Sequence, residues 1–286
     1  MEIKQIDDRR FRETVVKNFH WHNSNRRYEL HFTDLINCLL CTVKRKVLPD
    51  GDADDFEESY TQVLDWIGGL GFDNLITERI SGKTTTWIDG AQGNVDMVFE
   101  NIPYELTSTL YLNQKVKAAN DDLMDTYYRY KLEQLRLYMA GIGKTTGKLK
   151  IIERAGDRGG MYLALASFLN GKRIYKRPRP KEHTWKVEMT PLELAHVRID
   201  FIRRKDLLCE ALATGNITKL FELRDTVAPI LKTSFCTDKE TGYCREWPLF
   251  QGKNWHLFQK AQREWLTLVC DTDEPTPMAQ ELRRWM

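Results

Sequence analysis

The sequence predicts an α/β protein in which a mixed, mostly meandering central sheet is flanked by helices, with helical or irregular additions at both ends. Three observations indicate this class. Apolar residues recur with helical spacing up to residue 70, alternate with the period of a strand over 75–107, and return to helical spacing after residue 120. This order lacks the strict alternation of strand and helix that defines a doubly wound fold.

The segment before residue 70 predicts helices. Residues 1–30 form an N-terminal extension rich in Arg, His and Asn. Thr33 and Asp34 are typical N-cap residues, so we expect a helix to start there and to end in a basic run before Pro49. An acidic loop over 50–55 then leads into a second amphipathic helix, which closely spaced glycines end.

Strand-type alternation then predicts four short strands, over 75–80, 83–89, 93–99 and 103–109, joined by turns that contain Gly or Asn. The alternation breaks briefly between the third and fourth strands. We therefore expect these two strands to be neighbours joined by a tight turn.

The rest of the chain predicts further helices and strands. An apolar stripe over 121–139 predicts a long amphipathic helix that Gly141 ends. Thr190 and Pro191 predict the start of another long helix, because the pair combines an N-cap with proline at the first helical position. Further strands are expected at 148–154, 162–168 and 185–189, and a helix at 255–270.

Composition is that of an ordinary soluble protein. Of the 286 residues, 42% are hydrophobic and 29% are charged, and the formal net charge is +2. No apolar run approaches the roughly 20 residues that span a bilayer, and the first ten residues lack the apolar core of a signal peptide. We therefore expect a cytoplasmic protein with no membrane partner. The small net charge neither favours nor excludes nucleic acid, because segregation of Lys and Arg on one face decides that question.

The glycine- and lysine-rich segment over 141–148 resembles a phosphate-binding loop only superficially. That motif needs a glycine five residues before Gly143, and Tyr138 occupies the position. The segment also follows a predicted helix, whereas the motif follows a strand. We interpret it as a helix stop and turn.

Two carboxylates, Asp96 and Glu105, fall on the neighbouring third and fourth strands. If they faced a core they would repel each other and lose hydration, so either they point into water or a cation joins them. Surface exposure is the ordinary outcome for charged residues. The cation alternative predicts a metal site.

The surroundings of this pair resemble the PD-(D/E)XK nuclease superfamily, in particular its RecB-like branch, which includes the AddB-type nucleases and the iron-sulfur exonucleases associated with CRISPR adaptation. The resemblance extends over residues 30–255 in element order. It implies a restriction-endonuclease-like core at 31–220, and a Cys- and Trp-rich segment at 221–286 that packs back on the N-terminal helix. The residues that match the family pattern are Gly93, Val95, Asp96, Glu105, Gln134 and Tyr138.

The resemblance implies metal-dependent, exonuclease-like hydrolysis of DNA. Asp96, Glu105 and the carbonyl of Leu106 would hold magnesium or manganese, which suit a site built from oxygen atoms. Gln134 and Tyr138 lie one helical turn apart and would hydrogen-bond a DNA phosphate or orient the water. Tyr138 also lies on an apolar stripe, so a core position is the alternative for it.

Two positions depart from the family pattern. Thr107 stands where the family usually has a lysine, and a hydroxyl contributes no positive charge. Lys131 or Lys115 would have to replace that charge. No histidine lies between residues 54 and 67, where the branch usually has a metal ligand, and Glu57 or Glu58 would be its substitute. The alternative function is therefore a catalytically weakened or inactive nuclease-fold protein that binds DNA, or a protein partner in a recombination or CRISPR-adaptation assembly.

The cysteines suggest a second metal group. The segment from His31 to Cys38 resembles the start of the iron-sulfur members, but tryptophans stand where later cluster ligands are expected. Four thiolates would hold an iron-sulfur cluster or zinc. Buried free cysteines are the alternative, with Trp247 and Trp255 packing between the chain ends. The candidate ligands are Cys38, Cys41, Cys236 and Cys244.

Basic residues between 172 and 181 have Tyr175 among them and predict a nucleic-acid contact. Lys131 would add to it from the preceding helix. A solvated basic loop is the alternative. The residues assigned to this contact are Lys172, Arg173, Lys176 and Arg177.

Overall fold

A computed structural model describes residues 28–36, 38–48, 84–109, 129–153, 181–222 and 252–286. Over these ranges the protein is a mixed α/β protein with a mixed sheet on which helices pack. The elements are, in chain order, α1 (Phe32–Ile36), α2 (Leu39–Val47), β1 (Thr84–Ile88), β2 (Ala91–Val95), β3 (Met97–Phe99), β4 (Ile102–Thr109), α3 (Arg129–Ile142), β5 (Thr146–Glu153), β6 (Lys181–Glu188), α4 (Pro191–Thr214), α5 (Thr218–Glu222), α6 (Gly252–Cys270) and α7 (Pro277–Arg283).

The chain divides into two compact units. The first, called here the helical unit, comprises residues 1–68, 87–93 and 196–286. The second, called the sheet unit, comprises residues 69–86 and 94–195. The two-stranded sheet of β1 and β2 and the long helix α4 contribute residues to both units.

The sheet unit contains a four-stranded sheet in the order β3, β4, β5, β6. β3 pairs antiparallel with β4, β4 pairs parallel with β5, and β5 pairs antiparallel with β6. The predicted tight turn between β3 and β4 is confirmed. Its two residues, Glu100 and Asn101, have φ values of 51° and 65°, the left-handed conformation that two-residue hairpin turns require.

Helix α3 connects the parallel strands β4 and β5 and packs on both. Gly147 in β5 permits this close approach, because a Cβ atom there would lie 2.7 Å from Sδ of Met139. The helix ends at Gly143, whose φ is 69°. The N–H of Lys144 donates to the carbonyl of Met139 at 2.8 Å, which is the Schellman arrangement. The predicted helix stop in this segment is confirmed.

The helical unit is built from α1, α2, α5, α6, α7 and most of α4. Helix α6 packs against α2 and α7. The apolar core of this unit includes fully buried side chains from four different helices. Examples are Leu35, Leu39, Leu208, Leu212 and Trp265.

A buried lysine holds the turn of the β1–β2 hairpin in this unit. Lys205 of α4 is 1% exposed and forms ion pairs with Asp89, in the hairpin turn, and with Glu281 of α7 at 2.8 Å. Asp89 and Gly90 have φ values of 47° and 79°, so this turn has the same left-handed geometry as the one between β3 and β4. The ion pairs therefore join three elements that are far apart in the chain.

The predicted helix start at Thr33 and Asp34 is wrong. Helix α1 begins at Phe32, and Asp34 lies inside it, with Oδ2 accepting the backbone N–H of His31 at 3.0 Å. The helix also does not run continuously to the basic residues. Cys38, with φ −56° and ψ 123°, separates α1 from α2. Its extended backbone prevents the α-helical hydrogen bonds from continuing.

The prediction of a long helix after Thr190 and Pro191 is confirmed by α4. The N–H of Thr190 donates to Oε2 of Glu193 at 2.7 Å, and the N–H of Glu193 donates to Oγ1 of Thr190 at 3.2 Å. This reciprocal pair is a capping box, which satisfies backbone donors that the first helical turn leaves unpaired. The predicted helix over 255–270 is likewise confirmed by α6.

Several predicted segments lie outside the described residues: the second N-terminal helix, the strands at 75–80 and 162–168, and all but the last residue of the basic segment at 172–181. Among the helices that are described, none combines the length and the apolar character needed to cross a membrane.

Candidate metal centre

Asp96 and Glu105 lie close together in the sheet unit. In the antiparallel pairing of β3 and β4, Met97 is opposite Tyr104. The predicted continuous strand over 93–99 is wrong, because a bend at Asp96 divides it into β2 and β3. Asp96 therefore lies one residue before the paired part of β3, and Glu105 lies one residue after the part of β4 that pairs with β3.

The position of Asp96 is held by a backbone hydrogen bond. Asp96 occupies a bend between β2 and β3, and its Oδ2 accepts the N–H of Leu106 at 2.9 Å. Leu106 directly follows Glu105 in β4. Because an ionised acceptor strengthens a hydrogen bond, this contact ties the Asp96 carboxylate to the backbone next to Glu105.

Glu105 is fully buried, at 0% exposure. Its Oε1 accepts a hydrogen bond from Nζ of Lys131 at 2.5 Å. Its Oε2 is also buried and has no hydrogen-bond donor among the described residues. A buried carboxylate oxygen without a donor is costly, and the neighbouring Asp96 carboxylate is close enough to share a proton or a cation with Glu105.

The surroundings of Glu105 raise its pKa to about 8. Burial is the largest cause, because it disfavours the charged form, and the negative charge of Asp96 adds to it. The ammonium of Lys131 opposes both effects but does not cancel them. Without a cation, the pair therefore holds a proton at neutral pH that a metal ion would replace.

Lys131 lies in the first turns of α3, with its ammonium 5.4 Å from the centre of the Tyr130 ring. Burial lowers the pKa of Lys131, but attraction to Glu105, Tyr130 and Asp96 outweighs burial, so that the pKa is raised overall. The lysine is therefore charged at neutral pH. With both carboxylates ionised, the cluster would carry two negative charges and one positive charge.

Gln134 and Tyr138 continue the stripe of α3 on which Lys131 lies, at spacings of three and four residues. Nε2 of Gln134 donates to the hydroxyl oxygen of Tyr138 at 2.5 Å. Tyr138 is 2% exposed, which fits the alternative of a core position for its ring, while its hydroxyl remains bonded to Gln134. Thr107 lies on β4 two residues after Glu105, on the same face, and is half-buried.

The donor set fits a hard divalent cation such as magnesium or manganese. Asp96 and Glu105 supply carboxylate oxygens from adjacent strands, and Oε2 of Glu105 is a buried acceptor that such an ion would satisfy. The carbonyl of Leu106 stays a predicted ligand, and Glu57 and Glu58 lie outside the described residues. Within the described ranges, no three side chains of His, Cys, Asp or Glu group as a ligand set.

The predicted cysteine site is described only in part. Cys38 is buried before the first turn of α2 and Cys41 is half-buried within it, and no disulfide joins them to another cysteine among the described residues. Cys236 and Cys244 lie outside the described residues. An iron-sulfur cluster or zinc at these cysteines stays a prediction.

The predicted nucleic-acid contact is also described only in part. Lys172, Arg173, Lys176 and Arg177 lie outside the described residues, whereas the ammonium of Lys131 is placed on Glu105. Sequence reasoning missed the ion pairs of Lys205 entirely. Asp89, Lys205 and Glu281 are far apart in the chain, and no local pattern relates them.

Comparisons with known proteins identify no family for this chain. No protein-family model matches it, and no curated protein does. A solved structure titled "Crystal structure of SSO0001" aligns with a TM-score of 0.35 and 14% sequence identity, over 67% of this chain and 85% of that one. A similarity of this size supports no argument about function.

Proposed function

We propose that the protein is a metal-dependent DNA nuclease that hydrolyses phosphodiester bonds in the manner of an exonuclease. The observation that carries the proposal is the pairing of Asp96 with a fully buried Glu105, one of whose oxygens has no donor among the described residues. A carboxylate pair of this kind is stable at neutral pH only with a proton or a cation between its members.

Each side chain of the cluster has a distinct role in this proposal. Asp96 and Glu105 hold magnesium or manganese, with the carbonyl of Leu106 as a third ligand. A cation bound there polarises the phosphate and makes a water molecule more acidic. The Lys131 ammonium supplies the positive charge that Thr107 lacks.

Gln134 and Tyr138 supply polar groups on the same side of the cluster. Gln134 donates to the Tyr138 hydroxyl, which fixes the direction of its amide. The amide oxygen and the remaining N–H of Gln134 would then be available to a phosphate or a water. In this proposal the pair orients the substrate, and neither side chain gains or loses a proton.

A second function is favoured by the position of Lys131. Its ammonium is bound to Glu105, and Thr107 provides no second cation on β4. A protein with this arrangement would bind DNA, or a protein partner in a DNA-processing assembly, without hydrolysing it. In that case the carboxylate pair is a structural remnant of a nuclease fold.

A nuclease assay with manganese separates the two functions. Single-stranded and duplex DNA labelled at one end are incubated with wild type, Asp96→Asn and Glu105→Gln. We expect wild type to shorten the labelled strand and both variants to be slower by roughly 100-fold or more, because removal of one preorganised charge typically has this effect. Glu182→Gln is the matched control, since Glu182 is an exposed carboxylate on β6 paired with Lys150.

Two outcomes would contradict the nuclease. Degradation that persists undiminished in both site variants would come from a contaminant or from another site. DNA binding by wild type without any degradation, over a range of magnesium and manganese concentrations, would instead support the second function.

A further inference from the structure

The ammonium of Lys131 lies on the same carboxylate group of Glu105 to which a divalent cation would bind. It lies 2.5 Å from Oε1, the atom next to the unpartnered Oε2 of the same carboxylate. Two positive ions held by one carboxylate group repel each other strongly in a partly buried site, because the effective dielectric constant there is far below that of water. The two cations therefore compete for Glu105.

We propose that Lys131 is the resident counter-cation of the Asp96–Glu105 pair, and that a divalent cation binds there by displacing the Lys131 ammonium from Glu105. The inference rests on the proposed function for the identity of the competing ion. It goes beyond that function because it states which group lies at the site in the metal-free protein, namely the Lys131 ammonium.

The side chain of Lys131 is suited to move in this way. It is 18% exposed, whereas Glu105 is completely buried, so the lysine reaches the carboxylate from the solvent side of the cluster. Its four-carbon stem is flexible and its charge is compact. The ammonium leaves Glu105 by rotation about side-chain bonds, without any change in helix α3.

The displaced ammonium remains within the cluster. Lys131 is three residues before Gln134 on the same face of α3. Away from Glu105, the lysine would lie beside the polar groups that we assign to phosphate binding. One ammonium thus stays hydrogen-bonded to Glu105 when no divalent cation is present and attracts the substrate phosphate when one is bound.

Manganese affinity tests the inference independently of catalysis. Free manganese is titrated by its electron paramagnetic resonance signal against wild type, Lys131→Gln and Lys131→Arg. Lys131→Gln removes the charge but keeps a donor for Oε1, so we expect it to bind manganese about tenfold more tightly or better. Lys131→Arg keeps the charge, and we expect no gain in affinity. Lys150→Gln is the control, because Lys150 forms an ion pair with Glu182 outside the cluster.

Unchanged or weaker manganese binding by Lys131→Gln would overturn the inference, since it would show that the lysine does not compete with the cation. If Lys131→Gln does not fold, a gain in affinity by Lys131→Arg would overturn it equally.

The same proteins are then assayed on end-labelled DNA. Tighter manganese binding by Lys131→Gln without DNA degradation by wild type would reject the nuclease while leaving the competition intact. Loss of manganese binding in every protein would reject both.

Discussion

The N–H of Leu106 donates to Oδ2 of Asp96 at 2.9 Å, so that a backbone group in β4 positions a carboxylate from the bend between β2 and β3. This bond gives Asp96 two roles that substitutions can separate. One is to accept the hydrogen bond, and the other is to contribute negative charge beside Glu105. An asparagine in this position retains the first role and loses the second.

We therefore expect Asp96→Asn to fold with nearly wild-type stability and to lose manganese affinity. Asp96→Ala should lose the affinity and also be less stable by about 1–2 kcal/mol, because the N–H of Leu106 then lacks its acceptor. Urea denaturation and manganese titration measure the two effects. Equal stability of the two variants would show that the hydrogen bond contributes nothing.

The raised pKa of Glu105 predicts how stability depends on pH. Its ordinary pKa is 4.5, and in the folded protein the value is about 8. Between these values the folded state holds a proton that the unfolded state has released, so the free energy of unfolding falls as pH rises. The contribution is complete below pH 4.5 and is lost above pH 8, with a slope of at most about 1.4 kcal/mol per pH unit.

Urea denaturation of metal-free protein at several pH values measures this slope. Glu105→Gln should remove it, because glutamine does not titrate, and manganese should reduce it by replacing the proton. Lys131 keeps its charge throughout this range, since its pKa is raised above the ordinary value. A slope that is identical in wild type and Glu105→Gln would assign the pH dependence to other groups.

The ion pairs of Lys205 predict a large loss of stability on substitution. Lys205→Met removes the buried cation that Glu281, which is 7% exposed, shares with Asp89, and leaves Glu281 with the exposed Arg284. We expect a loss of about 3 kcal/mol in the free energy of unfolding. Lys219→Met is a matched control, because Lys219 pairs with Glu210 at an exposed site, and its loss should be below about 1 kcal/mol. Comparable losses for the two variants would contradict the assignment.

Gly93 predicts a steric conflict in the helical unit. A Cβ atom at Gly93 would overlap the ring of Phe32, which is 1% exposed and packs edge-on against Phe201 at 4.9 Å. We expect Gly93→Ala to lose about 1–3 kcal/mol, because the ring has no space into which it can withdraw. Phe32→Leu should lower the free energy of unfolding by less in the Gly93→Ala variant than in wild type. Strictly additive losses in this double-mutant cycle would show that the two positions do not interact.

Local signals predicted much of the fold. Thr190 and Pro191 predicted a helix start, and α4 begins there. The alternation around Asp96 and Glu105 predicted neighbouring strands with a tight turn, which β3 and β4 form. Each of these features is specified by residues within a few positions of one another, so a single stretch of sequence is enough to infer it.

Other features depend on contacts that no short stretch encodes. Asp34 has the side chain of an N-cap but lies within α1, because its carboxylate reaches back to the N–H of His31 and also pairs with Lys46 at 2.7 Å. Lys131 was a candidate substitute for the missing strand lysine, and its contact with Glu105 depends on how α3 packs on β4. Periodicity places a residue on a helix face but does not specify which strand that face meets.

The two-residue turn at Glu100 and Asn101 makes the spacing of Asp96 and Glu105 inseparable from hairpin length. A slip of the β3–β4 register by one residue would move each side chain of β3 to the opposite surface relative to β4. The pair would separate even though both acidic residues remained in the sequence. The two carboxylates can therefore act together only while the turn keeps this strand register.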